Sequence, residues 1–337
     1  MLDGPPLEAS QTRETVAVVG PSKVRVNFVG QRTYFESGAL SAPTATVEPH
    51  FIDFRSGDNP EALRHRLNET PADVTFVFKP ESVPAGTLTQ TPGVRVGWFT
   101  EPLPRRQPAP ARPYNDPDAP ANPEQDARLA AAADADLARR LQSAQSVDPE
   151  NFDRFIVFDP LIADTVNDFV DVWRSLPLPV DDTYFNDKPT INVPPRIGFF
   201  GRPTLHRDIM LSPSLHSFDV KYIAHGVFGD ELRDMAFKLD VAINLHNERY
   251  PNFENRVSLH MAAGNLVISE PLSPRHGLEP GVDYLEVNTP RELYITLEEI
   301  RNFPDAFALM RQRGRAKAEY FRASRVYSDL VTDLLKS

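Results

Sequence analysis

Short apolar runs recur along the chain and alternate with stretches of helical pattern. Eight of these runs, rich in β-branched and aromatic residues, predict strands: VRVNFVG (24–30), DVTFVF (73–78), GVRVGWF (93–99), FDRFIVF (152–158), RIGFFG (196–201), FDVKYIAHG (218–226), DVAINLH (240–246) and NLVIS (265–269). Several runs are apolar on both alternating faces, which is typical of parallel strands covered by helices on both sides. The alternation of strands and helices therefore predicts an α/β fold.

Two proline-rich stretches interrupt this pattern. The stretch 175–195 breaks the periodicity just before the strand that begins at Arg196, so we place the junction between two domains there. Residues 100–125 form an irregular loop, since proline supports neither a regular ladder nor a helix. This loop is either an active-site lid or a tolerated surface insertion. The Ala-, Leu- and Arg-rich stretch 124–145 should be helical.

The length of 337 residues favours more than one domain. We predict a first domain over 1–178, a second over 179–315 and a C-terminal helix over 316–337. This helix lies in a long charged stretch of helical pattern that begins at Pro304, and its segment VYSDLVTDLL (326–335) has apolar residues at helical spacing.

Charge and composition narrow the function classes. A net charge of −11 disfavours a nucleic-acid binder, and it disfavours an anionic membrane surface as a partner. The absence of cysteine excludes disulfides, thiolate metal sites and cysteine nucleophiles. The chain begins with a polar stretch and contains no apolar run near 18 residues, so neither a signal peptide nor a transmembrane segment is expected. We predict a cytoplasmic protein.

Polar residues gather where the strands of the second half end. In an open α/β sheet, ligands bind beyond the carboxyl ends of the strands. After RIGFFG, Gly201 allows a close backbone approach, and Arg202, His206 and Arg207 lie near a predicted helix start. Such a helix start with guanidinium groups suits a phosphate or pyrophosphate, although a tight turn with solvated basic residues has the same pattern.

The segment NLHNERYPNFENRVSLHMAAGNLVIS (244–269) gives a stronger signal. Glu254, Asn255 and Arg256 fall in the first turn of a predicted helix that Gly264 closes. A cation near a helix amino terminus opposes the helix dipole unless an anion lies between them, so Arg256 is hard to explain without a ligand. His225 ends another strand, beside Gly226, and the loop EPLSPRHGLEPGVDYLEV follows a fourth. Together these strand ends predict an anionic ligand.

The second half also resembles a known family. GFFGRPTLHRD, the segment from NLHNERYP to VISEPL, and GVDYLEV followed by a helix resemble the donor-binding domain of GT-B glycosyltransferases. The resemblance is strongest to the bacterial group related to spore-coat maturation proteins. It covers about residues 196–300, and the first half matches only in layout, with FVGQRTYFES and WFTEPLP after strands.

The resemblance implies two Rossmann-like domains that face a cleft, with the C-terminal helix crossing back to the first domain. A helix that caps its own domain stays an alternative. It also implies a hexosyltransferase that takes a UDP- or GDP-sugar, such as GDP-mannose, as co-substrate in polysaccharide biosynthesis. The acceptor would be a saccharide or glycolipid, transfer would retain the anomeric configuration, and no metal or other cofactor would be required. The sequence leaves open whether the protein forms a homo-oligomer.

Roles for individual residues follow from the same resemblance and from the strand ends. The predicted catalytic residues are His225, Glu101 and Arg256; the donor-binding residues are Gly201, Arg202, His206, Arg207, Asn247, Glu248, Glu254, Asn255 and Gly264; the acceptor-binding residues are Gln31, Arg32, Tyr34 and Glu36.

One position departs from the family pattern. Many relatives have a glutamate five residues before the helix-closing glycine, where it holds the donor ribose, and this chain has Leu259. Either Glu254 or another group makes the ribose contact, or the chain binds nucleotide sugars without catalysis. A sugar-nucleotide epimerase of similar architecture is a further alternative. A dehydrogenase is disfavoured because no GxGxxG follows a strand.

Overall fold

A computed structural model of the protein describes residues 23–107, 123–187, 191–224, 226–247 and 250–336. The first sheet has six parallel strands in the order β2-β1-β3-β4-β5-β6. Its strands are β1 (Val24–Gly30), β2 (Val47–Asp53), β3 (Val74–Phe78), β4 (Val94–Phe99), β5 (Arg154–Val157) and β6 (Val172–Ser175).

The second sheet has five parallel strands in the order β11-β10-β9-β7-β8. Its strands are β7 (Ile197–Phe200), β8 (Val220–Ile223), β9 (Val241–Asn244), β10 (Leu266–Ser269) and β11 (Leu285–Glu286). All eight apolar runs singled out in the sequence contain strands, and both sheets are parallel, so the α/β prediction is confirmed. The domain boundaries at 178 and 315 stay predictions.

Helices connect the strands of both sheets. They are α1 (Arg32–Phe35), α2 (Pro60–Glu69), α3 (Pro123–Ala144), α4 (Ala163–Val166), α5 (Leu205–Leu215), α6 (Gly229–Lys238), α7 (Asn255–Ala262), α8 (Pro290–Asn302), α9 (Ala308–Lys317) and α10 (Ala323–Leu334). Several begin with a side-chain cap: the Thr204 hydroxyl accepts from the backbone N–H of Arg207 in α5, and that of Thr289 accepts from Glu292 in α8.

The C-terminal helix α10 returns to the first domain. Its buried residues Tyr327, Leu330 and Val331 belong to the same apolar cluster as Phe28 and Phe76 of the first sheet. The Tyr327 ring lies edge-on to Phe28 with centroids 4.6 Å apart, and its hydroxyl donates to the carbonyl of Gly38 at 2.6 Å. The predicted crossing of this helix is therefore confirmed.

The charged stretch of helical pattern that begins at Pro304 does not form one continuous helix. The stretch divides into a 3-10 turn (Pro304–Phe307), α9, a second 3-10 turn (Ala318–Phe321) and α10. The break before α10 falls at Arg322, whose φ of −61° and ψ of 123° are extended. An extended residue is required there because the chain leaves the second domain and turns toward the first.

The two chain crossings between the domains are hydrogen-bonded to each other. The N–H of Val180, on the outgoing crossing, donates to the carbonyl of Phe321 at 2.7 Å. The N–H of Ala323, on the returning crossing, donates to the carbonyl of Val180 at 2.9 Å. We call these paired segments, around Val180 and Arg322, the crossing pair.

No helix within the described part of the chain is both long and apolar enough to cross a membrane.

Candidate functional site

A cleft of about 660 Å³ separates the two domains. Its walls are the loops at the carboxyl ends of β1, β3 and β4 on one side and of β7, β8 and β9 on the other, together with the start of α7. The carboxyl ends of both parallel sheets thus face the same space, which is where α/β sheets bind their ligands.

Two arginines dominate the second-domain wall. Arg207, on α5, is fully buried and donates through Nε and Nη2 to the carbonyl of Leu245, at 3.0 and 2.9 Å. Its Nη1 donates to the carbonyl of Arg202 at 3.0 Å. These backbone bonds fix the guanidinium at the ends of β7 and β9, so its charge is held in place before any ligand arrives.

Arg256 lies beside Arg207 in the first turn of α7. Its Nη1 donates to the carbonyl of Phe200 at 2.6 Å. The carboxylate of Glu254, the residue that caps α7, accepts from Arg256 and from Arg207, the latter at 3.3 Å. Two guanidinium groups therefore share one carboxylate, and the cluster keeps a net positive charge toward the cleft.

Burial and charge shift the pKa values in this cluster. Burial, followed by the neighbouring charge of Arg256, lowers the pKa of Arg207 to about 10, so this guanidinium remains charged at neutral pH. Burial alone raises the pKa of Glu254, but the charges of Arg256 and Arg207 outweigh it and hold that pKa below its usual value. The cluster is therefore ionised, and its excess cation suits a phosphate group.

Gly201 provides the room that this cluster needs. A Cβ at this position would lie 2.7 Å from Nη1 of Arg256 and 3.0 Å from Nη1 of Arg207. Real Cβ atoms do not approach other atoms to 2.7 Å, so any side chain at 201 would displace a guanidinium. The glycine is thus explained by the two arginines, in addition to the close ligand approach that the sequence suggests.

A buried carboxylate, that of Glu270, binds residues next to this arginine cluster. Glu270, after β10, lies 2.8 Å from Nε2 of His206 and accepts the backbone N–H of His246 at 2.7 Å. Burial raises the pKa of Glu270, but the charges and hydrogen bonds of His206 and His246 outweigh this effect and lower it overall. His206 thus ties α5 to the loops after β9 and β10 and does not reach the cleft.

The first-domain wall carries charged side chains that follow β3 and β4. Lys79, directly after β3, has a left-handed backbone with φ of 60°, a strained conformation for a residue with a side chain. Its Nζ pairs with Glu101 Oε1 at 3.1 Å, and both side chains are 38% exposed. Tyr34, after β1, lines the same wall and is 62% exposed.

Glu81 lies deeper in this wall. It is part of the 3-10 turn Pro80–Ser82 that follows Lys79, and burial raises its pKa above the usual value. Its Oε2 atom is buried and has no hydrogen-bond partner among the described residues, and the same holds for Oγ1 of Thr100 after β4. Sequence reasoning missed both residues, although the strand-end rule that selected Gly201 and Arg256 applies to β3 and β4 as well.

The cleft gathers many of the residues that the sequence predicts. It is lined by Gln31, Tyr34, Glu101, Gly201, Arg202, Arg207, Asn247, Glu254, Asn255 and Arg256. His225 and Glu248 lie outside the described residues.

The remaining predicted residues do not line the cleft. Arg32 pairs with Glu36, and its guanidinium lies over the ring of Phe51. Glu36 approaches Gly229 at the edge between the domains. His206 is buried against Glu270. Gly264 ends α7 with φ of 77°, as a helix-closing glycine does, but it faces a separate groove beside Arg311 and Arg315.

Leu259 lines the cleft where the family pattern has a glutamate. It is 5% exposed and packs in the apolar cluster of the second domain. The neighbouring ring of His260 contacts Phe200, with centroids 5.0 Å apart. An apolar side chain has no acceptor for a ribose hydroxyl, and Glu254 is the one carboxylate among the described second-domain residues that line the cleft.

Two further contacts join the domains at the margin of the cleft. Nη2 of Arg105 donates to Asp159 at 2.9 Å and to the carbonyl of Ser273 in the second domain at 2.5 Å. The hydroxyl of Tyr250 donates to Asp134 of α3 at 2.6 Å. The part of the 100–125 loop that the structure describes is therefore anchored to the second domain.

Comparison with known proteins identifies the fold. No family model matches the chain, and no curated protein matches it. Among solved structures, HepE from Anabaena in complex with UDP and glucose is 12% identical, with a TM-score of 0.55 over 93% of this chain and 100% of that one. HepE in complex with UDP-glucose gives 11% identity and the same TM-score and coverage.

A second protein gives the same result. Sucrose-phosphate synthase from Thermosynechococcus elongatus is 11% identical, with a TM-score of 0.55 over 93% of this chain and 98% of that one. Identities this low establish the fold alone. The protein has the two-domain GT-B fold of glycosyltransferases.

Proposed function

We propose that the protein is a glycosyltransferase that moves a sugar from a nucleotide diphosphate sugar to a saccharide or glycolipid acceptor. The observation that carries this proposal is the pair of arginines, Arg207 and Arg256, held by Glu254 at the cleft. UDP is the first nucleotide to consider because HepE, which shares the fold, binds UDP and UDP-glucose; a GDP-sugar such as GDP-mannose is the second.

The arginine pair suits the chemistry of sugar transfer. When the bond between the sugar and the diphosphate breaks, the electron pair leaves with the diphosphate, whose negative charge increases. Fixed cations at that point stabilise the transition state more than the ground state. Arg207 and Arg256 are held by backbone carbonyls and need no rearrangement to do so. We therefore propose metal-independent transfer, with retention of configuration as the family resemblance implies.

The order and spacing of GFFGRPTLHRD, the segment from NLHNERYP to VISEPL, and GVDYLEV support kinship with the bacterial group related to spore-coat maturation proteins, from whose pattern Leu259 departs. Within the proposed function, the cytoplasmic location, polysaccharide biosynthesis and the residue roles assigned from the sequence stay predictions. His225, Glu101 and Arg256 remain the candidates for catalysis.

Calorimetry with UDP, GDP, ADP and dTDP tests the proposal. We expect one nucleotide to bind, and Arg256→Ala to weaken that binding at least tenfold because it removes one of the two cations. Arg55→Ala, at a side chain that is 63% exposed and outside the cleft lining, is the control and should leave the affinity unchanged. A protein that binds none of the four nucleotides would contradict the proposal.

A second candidate is a binding protein of the same fold that lacks catalysis, which Leu259 favours. Hydrolysis of the donor sugar in the absence of acceptor separates the two. Release of free sugar above the rate in buffer supports the enzyme, whereas nucleotide binding without any turnover supports the binding protein.

A further inference from the structure

The two walls of the cleft differ in charge. The charged residues of the second-domain lining are Arg202, Arg207, Arg256 and Glu254, an excess of cations. Those of the first-domain lining are Lys79, Arg140, Glu81, Glu101 and Asp136, an excess of anions. The negative charge of a diphosphate matches the excess of cations on the second-domain wall. The first-domain wall, with its excess of anions, disfavours a second phosphate group.

Glu81 is held in place by its surroundings. Gly97 of β4 leaves room for the preceding Pro80, because a Cβ at Gly97 would lie 2.9 Å from Pro80 Cβ and 2.9 Å from the ring of Phe155. The N–H of Lys79 donates to the carbonyl of Trp98 at 3.0 Å, which ties the turn to β4. The carboxylate of Glu81 is therefore presented from a fixed turn.

The two glutamates of this wall are in different states. Glu101 is already engaged by Lys79, at 3.1 Å, and 38% of its side chain is exposed. Glu81 has a buried oxygen, Oε2, without a hydrogen-bond partner among the described residues. A buried polar atom without a partner is unfavourable, and a ligand that donates a hydrogen bond would remove that cost. Thr100 lines the same cleft, and its Oγ1 likewise has no partner in the part of the chain that the structure describes.

We propose that Glu81, with Thr100 beside it, binds a hydroxyl group of a neutral saccharide acceptor. This inference rests on the proposed function and makes it more specific. The hydroxyl donates to the carboxylate of Glu81, which lines the cleft, and the exposed ring of Tyr34 on the same wall offers an apolar face to the sugar. A phosphorylated acceptor is disfavoured because its charge would lie beside Glu81. Glu81 is then an acceptor-binding residue that positions the sugar, and Glu101 remains a candidate for catalysis.

The test measures UDP release from UDP-glucose in the presence of a panel of neutral hexoses and disaccharides. Glucose and glucose 6-phosphate form a matched pair that differs only in the phosphate. We expect at least one neutral sugar to accelerate UDP release, and glucose 6-phosphate to be a poorer acceptor than glucose. Glu81→Gln should raise the KM for the neutral acceptor at least tenfold and reduce its advantage over the phosphorylated sugar at least fivefold.

Glu69→Gln is the control, at a side chain of the first domain that is 62% exposed and outside the cleft lining, and it should change either quantity by less than threefold. Binding of UDP, measured by calorimetry, should be equal in both variants and in the wild type. Thermal unfolding of each variant verifies that it is folded. A merely structural role for Glu81 would not change the preference between the two sugars.

Several results would overturn the assignment. These are an unchanged sugar preference in Glu81→Gln, an equally large effect of Glu69→Gln, or a wild-type preference for glucose 6-phosphate. A wild-type protein that binds UDP but shows no acceleration with any neutral sugar would also overturn it, and would leave donor binding intact. Failure to bind any nucleotide would instead refute the proposed function itself.

Discussion

At the scale of single residues, the site depends on Gly201, which has no side chain, as much as on the charged arginines. The positions of Arg207 and Arg256 leave no space for a Cβ at Gly201. Neither arginine can retreat freely, because Arg207 is bonded to the carbonyl of Leu245 and Arg256 to that of Phe200. The geometry of the cation pair is therefore set by the backbone around it.

Gly201→Ala is expected to weaken nucleotide binding at least fivefold, because the added methyl group displaces one guanidinium. The change should cost little global stability, since the displaced group lies at the cleft. Gly38→Ala is a suitable comparison, because its Cβ would make only an ordinary contact of 3.5 Å with the carbonyl of Pro179. Calorimetry with UDP checks the affinity, and equal affinities of the two variants would contradict the explanation given for Gly201.

Sequence reasoning found the arginines more easily than it found Glu81. Arg256 stands out in the sequence because a cation at a helix start opposes the dipole. Glu81 follows a proline in an ordinary-looking loop. Its significance comes from burial and from Oε2, which has no hydrogen-bond partner among the residues that the structure describes, and neither property can be read from the sequence. Leu259 was identified in advance as a departure from the family pattern, and it does line the cleft.

At the scale of secondary structure, the eight apolar runs predicted every central strand and the edge strand β8, and they missed the other edge strands. The unpredicted strands β2 and β6 lie at the two edges of the first sheet. β2 contains Pro49 and exposes alternate residues, and all four residues of β6 are only partly buried. Central strands are covered on both faces and need apolar residues throughout, whereas edge strands tolerate polar residues and proline, so their apolar pattern is weak.

The C-terminal helix α10 is held by a buried hydrogen bond as well as by apolar packing. Tyr327→Phe would leave the carbonyl of Gly38 without the hydroxyl that lies 2.6 Å away, and we expect a loss of about 1–2 kcal/mol in the free energy of unfolding. Tyr320→Phe, at a tyrosine that is 63% exposed, should change it by less than about 0.5 kcal/mol. Urea denaturation of both variants measures the difference, and similar values would show that the hydroxyl adds no stability.

At the scale of the whole molecule, the site exists only when both domains are in place. The cleft cations of the second domain and the cleft carboxylates of the first lie on opposite walls, so under the proposed function the distance between the reacting groups depends on how far the cleft is closed. Arg105 connects the domains across the margin of this cleft, and its side chain is only 11% exposed.

Arg105→Ala is expected to favour a more open arrangement, because it removes the bonds to Asp159 and to the carbonyl of Ser273. Small-angle scattering should show a larger radius of gyration for this variant than for the wild type. The neighbouring Arg106→Ala is a close control, since Arg106 is 58% exposed and pairs with Asp168 within the first domain. An identical radius of gyration for the Arg105 variant and the wild type would show that this contact does not restrain the domains.

The crossing pair has a consequence for how the domains move. The two segments are hydrogen-bonded side by side through Val180, Phe321 and Ala323. They therefore form a two-stranded connection between the domains instead of a single flexible linker. We expect this two-stranded connection to restrict the directions in which the domains can move relative to each other. Under the proposed function, the direction from which an acceptor oxygen meets the anomeric carbon would then depend in part on backbone amides that do not themselves line the cleft.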